Sequence, residues 1–390
     1  MSLLLLPVLL AMSTTAPDAG VSTTAPDARP TQAPDPRTAQ TAQPEPTATT
    51  AAPPAADPPP ADEFRLVRKA RAFDDAVVDV LVMAGTADGE AHADAALDEV
   101  ARVITLFDAQ RPDGPLARLH ERAGKDALVV DPEVFAVLVE LQRIAKLSKG
   151  AFDVTAAAYD EAWLFGVDEP GNPPREPPPK IEIDRLRQLV SVDDLVLDPV
   201  GRTARLKKAG ARVDVGDVIK GYALDRARAV LLGRGAADFV LSSGGDVVVS
   251  GKKGGRPWMV GVQDPRAPGP FLALPVDVTA LGGAVMSSSD NESFFMASGV
   301  RYHSILDPRT GRPSTRSRSV TVLHDDALVA EALSRAVFVL GDKEGLKLIE
   351  RLPGANAVVV TADNRVVLSK GLQKLAKAHA LQQRPPTDGP

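Results

Sequence analysis

The chain of 390 residues has no cysteine. Disulfides, thiolate-held zinc, iron–sulfur clusters and a cysteine nucleophile are therefore excluded. Histidine is scarce: His92, His120, His303, His324 and His379 are scattered, no two within one helical turn, so no structural zinc site is expected. Aromatic residues make up only 4% of the chain. The apolar run at its start, MSLLLLPVLLAM, is shorter than the roughly 20 residues that a membrane-spanning helix needs. There is no surplus of positive charge either. Forty-five basic and 51 acidic residues leave a net charge of −6, which argues against a surface built for a phosphate backbone, and nucleic acid is not an expected partner.

What remains is a composition that folds. With 44% hydrophobic and 25% charged residues, wholesale disorder is excluded, and the length allows roughly two to three domains. Thirteen of the 34 prolines lie in the first 60 residues, which shortens the foldable part. Residues 1–12 read as the apolar centre of an export signal with small residues around Ala11 to Ser13 for cleavage, although no Lys or Arg precedes them and Pro7 interrupts the run. No cysteine follows that could carry a lipid. Residues 13–62 are rich in Ala, Pro and Thr and repeat STTAPDA, so they read as a disordered tether with little apolar surface to offset chain entropy. Residues 63–378 form the expected folded domain, interrupted by a proline-rich loop at 169–180, and 379–390 a disordered tail.

Within that domain the apolar period changes repeatedly. The pattern predicts a strand at 73–83, helices at 92–107 and 131–149, the second with an Asp131 cap, and short strands at 194–206 and 211–215. A helix at 217–232 follows, then strands at 237–242, 246–250, 258–263 and 283–288, helices at 327–340 and 343–351, and strands at 356–360 and 364–368. No steady βαβ rhythm is present, and no GxGxxG follows a first strand. The fold class is α+β.

Four clusters combine glycine, carboxylate and basic or hydroxyl residues. In GAFDVTAAAYDEAWLFG (150–166) a turn exposes Asp153 beside Phe152, with ordinary aromatic packing as the alternative. In VDVGDVIKGYALD (213–225) Gly216 turns a strand into a helix whose first amides accept an anion, with Lys220 one turn in; a solvated lysine is the plain alternative. In SSGGDVVVSG (242–251) two glycines permit close backbone approach before Asp246, or merely form a turn. In AVMSSSDNESFFMASGVRYHSILDPRTGRPST (284–315) serines and Asp290 end a strand and DPRTG forms a proline turn, a grouping suited to a polyhydroxy or phosphate ligand. No GxSxG hydrolase signature is present.

In order and spacing these segments resemble the FAD:protein FMN transferases, the ApbE-type flavin transferase family. The succession GAFD…W-x-FG, D-x-G-x-x-x-KGYA-x-D, GGD…W-x-VG-x-x-P, S-S-x-D-x-E-x-FF…DPRTG and a late A-L-x-x-A-x-FVLG helix covers most of residues 100–345. The resemblance implies a T-fold-related domain, export to the periplasm or cell envelope of a bacterium, and FAD with Mg²⁺ in a cleft. It also implies transfer of FMN from FAD to a Ser or Thr hydroxyl of a redox membrane protein, with release of AMP. By resemblance, Ala151, Phe152 and Asp153 line the flavin nucleotide site, Asp214 and Lys220 contact FAD, Gly244, Gly245 and Asp246 allow close approach, and Asp290 and Ile305 complete the cofactor set. One cavity, walled by the segments near residues 152, 216, 245 and 306, is expected to seat the dinucleotide.

The chemical positions depart from the family. Where it has an Asp and, four residues on, a Thr as metal ligands, this chain has Glu331 and Arg335; Asp217 stands where a small residue supplies a backbone oxygen, so Asp217 and Glu331 are the candidate metal ligands. A guanidinium cannot ligate a metal. Either Arg335 occupies the metal's place and binds phosphate, or it forms a solvated i, i+4 pair with Glu331 worth about 0.3–0.5 kcal/mol. The family's His before DPRTG is Ser304, with His303 adjacent and, in an extended chain, facing the other way. Loss of a general base typically costs about 10²–10⁴ in rate. Gln110, Gly114 and His120 replace a Tyr, Ser and Asn of the family. Besides the transferase, a non-catalytic flavin-nucleotide-binding or scaffold protein and an FAD pyrophosphate hydrolase remain open.

Overall fold

A computed structural model describes residues 65–73, 76–84, 86–165, 175–276, 278–379 and 386–387. The signal segment, the tether, most of the proline-rich loop and most of the tail lie outside these residues. The fold is α+β. One eight-stranded antiparallel sheet runs, in spatial order, through Arg65–Phe73, Ala76–Ala84, Phe239–Ser243, Asp246–Ser250, Ala284–Ser289, Ser317–His324, Asn356–Thr361 and Val366–Leu368.

The strand alternation decides what covers each face. Phe239, Leu241, Val320, Val322, Ala357 and Val359 face the helices Thr86–Phe107, Pro132–Leu147, Gly216–Gly233 and Ala327–Ile349. Val240, Leu323, Val358 and Val360 point the other way. They pack on the antiparallel ribbon Trp258–Gln263/Pro270–Val276 and on Leu372 of the helix Lys370–His379. A smaller cluster joins Tyr159, Trp163, Ile183, Leu186 and Phe295. No helix among the described residues is long and apolar enough to cross a membrane.

Local signals place several elements as expected. Asp131 caps the helix Pro132–Leu147, its carboxylate accepting from the amides of Glu133 and Val134. The late helix runs Ala327–Ile349 and breaks at Gly341, whose φ of 78° a side chain would strain. Other expectations need correction. The strand at 73–83 is a hairpin, Arg65–Phe73 with Ala76–Ala84. Residues 211–215 pair with no strand and form the coil that delivers Asp214 to the next helix. The ribbon strand Pro270–Val276 escapes a sequence reading because Pro270 and Pro275 look like breakers, yet an edge strand tolerates missing amides. A helix, Lys180–Arg187, starts where the proline-rich loop ends.

Candidate active site

The close crossing of the helices Gly216–Gly233 and Ala327–Ile349 sets the geometry. A Cβ at Gly221 would lie 2.5 Å from the Ala327 carbonyl oxygen, so only glycine lets the helices approach this far. There the Gly221 amide donates to Glu331 Oε2 at 2.6 Å. Further along, Asp225 accepts from the Ala327 amide at 2.6 Å, and Asp326 caps the later helix by accepting from Val329.

A polar cluster gathers above this crossing. Lys220 Nζ lies 3.8 Å from Asp246 Oδ2, while Asp246 Oδ1 accepts from the Ser287 amide at 2.8 Å. Burial pushes the Asp246 carboxyl up, and Lys220 partly offsets this. Burial and then the Asp246 charge push Glu331, only 3% exposed, up to about 8. Burial alone would lower the Lys220 ammonium, but Asp246 and Glu331 more than compensate and raise it. Arg335 reaches across from the later helix and pairs with Asp217 at 2.8 Å. Glu292 stands at the solvent edge, where desolvation by the surrounding protein and then Asp246 still push it up to about 7.

Beside this cluster lies a cavity of about 240 Å³ lined by Gln110, His120, Asp160, Glu161, Arg212 and Asp214, among others. His120 Nε2 sits 2.8 Å from the Val213 carbonyl oxygen and 3.1 Å from its amide. Asp214 Oδ1 accepts from the Gly216 amide at 2.6 Å, so a carboxylate already occupies part of the helix start that was expected to hold an anion. Burial raises the Asp214 carboxyl. Asp160 keeps one side in solvent, yet desolvation by the surrounding protein, followed by the charges of Asp214 and Asp217, pushes it up to about 7. Arg335 is within electrostatic reach of Asp160 as well as of Asp246, Glu292 and Glu331, which links cavity and cluster.

Lys220, Asp246, Asp217 and Glu331, separated by up to 114 positions, are thus brought together. Other expected site residues are not at the cavity surface. Asp153 is buried rather than exposed: Oδ1 accepts from Thr155 N and Oγ1, and Oδ2 from Val192 N at 2.7 Å, so it caps the short 3₁₀ helix Val154–Tyr159. Ala151, Phe152 and Ile305 belong to the helix-side core. Asp290 forms a bidentate pair with Arg266 at 2.5 and 2.7 Å, both side chains buried, and its oxygens are committed to that guanidinium. Gly244 has a φ of 61°, which the hairpin turn requires, and a Cβ there would meet no protein atom within 4 Å. Gly245 completes that turn. The segments near 152, 245 and 306 do not line the cavity.

The DPRTG turn acts as a brace. Tyr159 Oη donates to the Pro308 carbonyl at 3.0 Å and Trp163 Nε1 to the Gly311 carbonyl at 2.9 Å. His303 faces inward, with Nε2 against the Ser314 carbonyl at 2.8 Å and Nδ1 accepting from the Ile305 amide at 3.2 Å, and burial lowers its pKa. Both ring nitrogens are occupied, so His303 is not available as a base. Asp160, Glu292 and Arg212 are the residues that sequence reasoning missed. Asp160 and Glu292 lie within the clusters at 150–166 and 284–315, whereas Arg212 precedes the cluster at 213–225 and carried no local signal.

The candidate metal ligands do not fit a divalent cation. Asp217 is held by Arg335, Glu331 accepts from the Gly221 amide, and no group of three or more His, Asp or Glu side chains among the described residues is placed to hold a metal. The solvated Glu331–Arg335 pair does not form either, because Glu331 is buried and Arg335 turns to the neighbouring helix.

Residues 75–359 match the model of the ApbE family. The chain is 32% identical over 304 residues to the FAD:protein FMN transferase of Treponema pallidum, covering 72% of this chain and 81% of that protein. It is also 32% identical over 242 residues to that of Rhodobacter capsulatus, covering 62% of this chain and 45% of the other. The crystal structure of the ApbE protein from Thermotoga maritima superposes with a TM-score of 0.70 at 29% identity, covering 80% of this chain and 99% of that one. The flavin transferase ApbE from Vibrio cholerae, at 22% identity and a TM-score of 0.69, shares the fold. With the family model spanning most of the folded region and a relative of this similarity matched along most of its length, the chain belongs to the ApbE family.

Proposed function

We propose that this protein is a flavin transferase that moves FMN from FAD to a Ser or Thr hydroxyl of a protein acceptor and releases AMP. The observation that carries the reading is a cavity lined by Arg212 and Asp160, the latter within electrostatic reach of Arg335, which with Lys220 stands where the two helices cross. Pyrophosphate needs such charge. In the reaction the acceptor oxygen attacks the phosphorus of the FMN half, the bond to the bridging oxygen breaks, and AMP leaves with the electron pair. Lys220 and Arg335 stabilise charge that builds on the phosphate oxygens. The hydroxyl proton passes to a carboxylate, and Asp160, near neutrality at the cavity edge, is the group placed for it.

The family's Mg²⁺ enters no step here, because the residues present do not fit it. The acceptor is proposed to be a redox protein of the membrane, reached after export to a bacterial periplasm or envelope; the apolar residues 3–10 support that reading. The test is incubation with FAD and a peptide carrying the acceptor hydroxyl. A peptide heavier by one FMN, with AMP released in equal amount, is the expected result. FAD bound without any adduct would leave a binding protein, and AMP with free FMN would indicate hydrolysis. Either result refutes transfer.

A further inference from the structure

Arg335 is held where two helices face each other. Its guanidinium is 19% exposed and pairs at 2.8 Å with Asp217, the second residue of the helix Gly216–Gly233, whose own side chain is 67% exposed. On the protein side lie the carboxylates of Asp246 and Glu331, and on the solvent side Glu292 and Asp160, all within electrostatic reach of the same guanidinium. Against burial, Asp246 and Glu331 raise the Lys220 ammonium, and an arginine remains charged, so both cations of the group are fixed. A divalent ion entering among these carboxylates would meet the fixed positive charge of Arg335 and would have to strip Asp217 from Arg335 and Glu331 from the Gly221 amide.

We propose that Arg335 is the resident cation of this site, excluding a divalent metal and binding the pyrophosphate of a dinucleotide with Lys220. The planar guanidinium presents parallel N–H donors that match two phosphate oxygens, which a compact ammonium does not. Asp217 keeps the guanidinium extended while the site is empty of anion and yields it when phosphate arrives; its exposure lets water take over the carboxylate. The phosphate half of this inference rests on the flavin reading above, whereas the metal half does not.

Two measurements on the full chain separate the halves. Titration with Mn²⁺, followed by the electron paramagnetic resonance of the free ion, is expected to show no loss of signal to the protein, with or without FAD, beyond the loss FAD causes alone. Stoichiometric uptake of Mn²⁺ overturns the proposal. Quenching of flavin fluorescence is expected to give the same FAD affinity in EDTA as in Mg²⁺, and tenfold or greater weakening in EDTA overturns it. Arg335→Thr should lose about 10- to 100-fold in FAD affinity in EDTA, the scale of charged hydrogen bonds lost, while Arg335→Lys loses less. Thermal melting of both variants establishes that they fold. Unchanged FAD affinity in folded Arg335→Thr refutes the phosphate role. If FAD binds under no condition, the flavin reading and the phosphate half fall together, and the Mn²⁺ titration alone decides the metal half.

Discussion

Substituting alanine at Gly221 tests the helix crossing on which the site depends. The added Cβ would sit 2.5 Å from the Ala327 carbonyl oxygen and 2.6 Å from Glu331 Oε2. Neither atom is free to yield: one is backbone in the first turn of a helix, the other belongs to a buried carboxyl held by the Gly221 amide. Overpacking costs about 1–3 kcal/mol and a weakened hydrogen bond about 0.5–1.5 kcal/mol, while alanine recovers about 1 kcal/mol of helix propensity. The net expectation is a loss of about 0.5–3.5 kcal/mol, or about 1–6 °C in melting temperature for a folded part of roughly 300 residues. Scanning calorimetry measures the shift. Gly233→Ala is the control, since it ends the same helix with nothing within 4 Å of a Cβ, and it should be neutral or stabilising by about 0.4–1 kcal/mol. FAD affinity should fall with Gly221→Ala, because Asp217 and Lys220 shift against Arg335 and Glu331, and should hold with Gly233→Ala. A Gly221→Ala protein that melts at or above the wild-type temperature refutes the reasoning.

The pKa of Glu331, about 8 when folded against an ordinary 4.5, means that the folded protein keeps a proton which the unfolded chain releases. Its contribution to stability is therefore largest below about pH 4.5 and is lost as pH rises toward 8. Glu331→Gln retains an acceptor for Gly221, so it should raise the melting temperature more at pH 8 than at pH 5, and an equal effect at both would show the assignment to be wrong. Arg266→Met strands the buried Asp290 carboxylate and should cost about 3–5 kcal/mol in chemical denaturation. Asp290→Asn should lower stability but leave FAD affinity in place; the reverse pattern would return Asp290 to the binding site. If Asp160 takes the hydroxyl proton, FMN transfer should rise with pH through about 7, and Asp160→Asn should abolish that limb of the profile. Persistence of the limb in the variant would assign it to another group, Glu292 being the next to test.

Period, caps and turn residues act over a few positions, and they were enough to specify the α+β class, the helix at 132–147 with its Asp131 cap and the strands at 246–250 and 258–263; the family was legible in the order of the motifs. A glycine turn before a lysine and a carboxylate after a hairpin are local features, and they picked out Lys220 and Asp246, whereas Asp217 and Glu331 were named only by resemblance to the family. What a carboxylate does is not local. Asp153 and Asp290 look alike in sequence to Asp214 and Asp246, yet one is consumed by backbone amides 2 and 39 residues away and the other by Arg266. The pairing of Arg335 with Asp217 rather than with Glu331, four positions away on its own helix, was decided only by tertiary structure. The helices cross so closely at Gly221 that Glu331 is buried against an amide, and the guanidinium is left with the neighbouring helix as its partner.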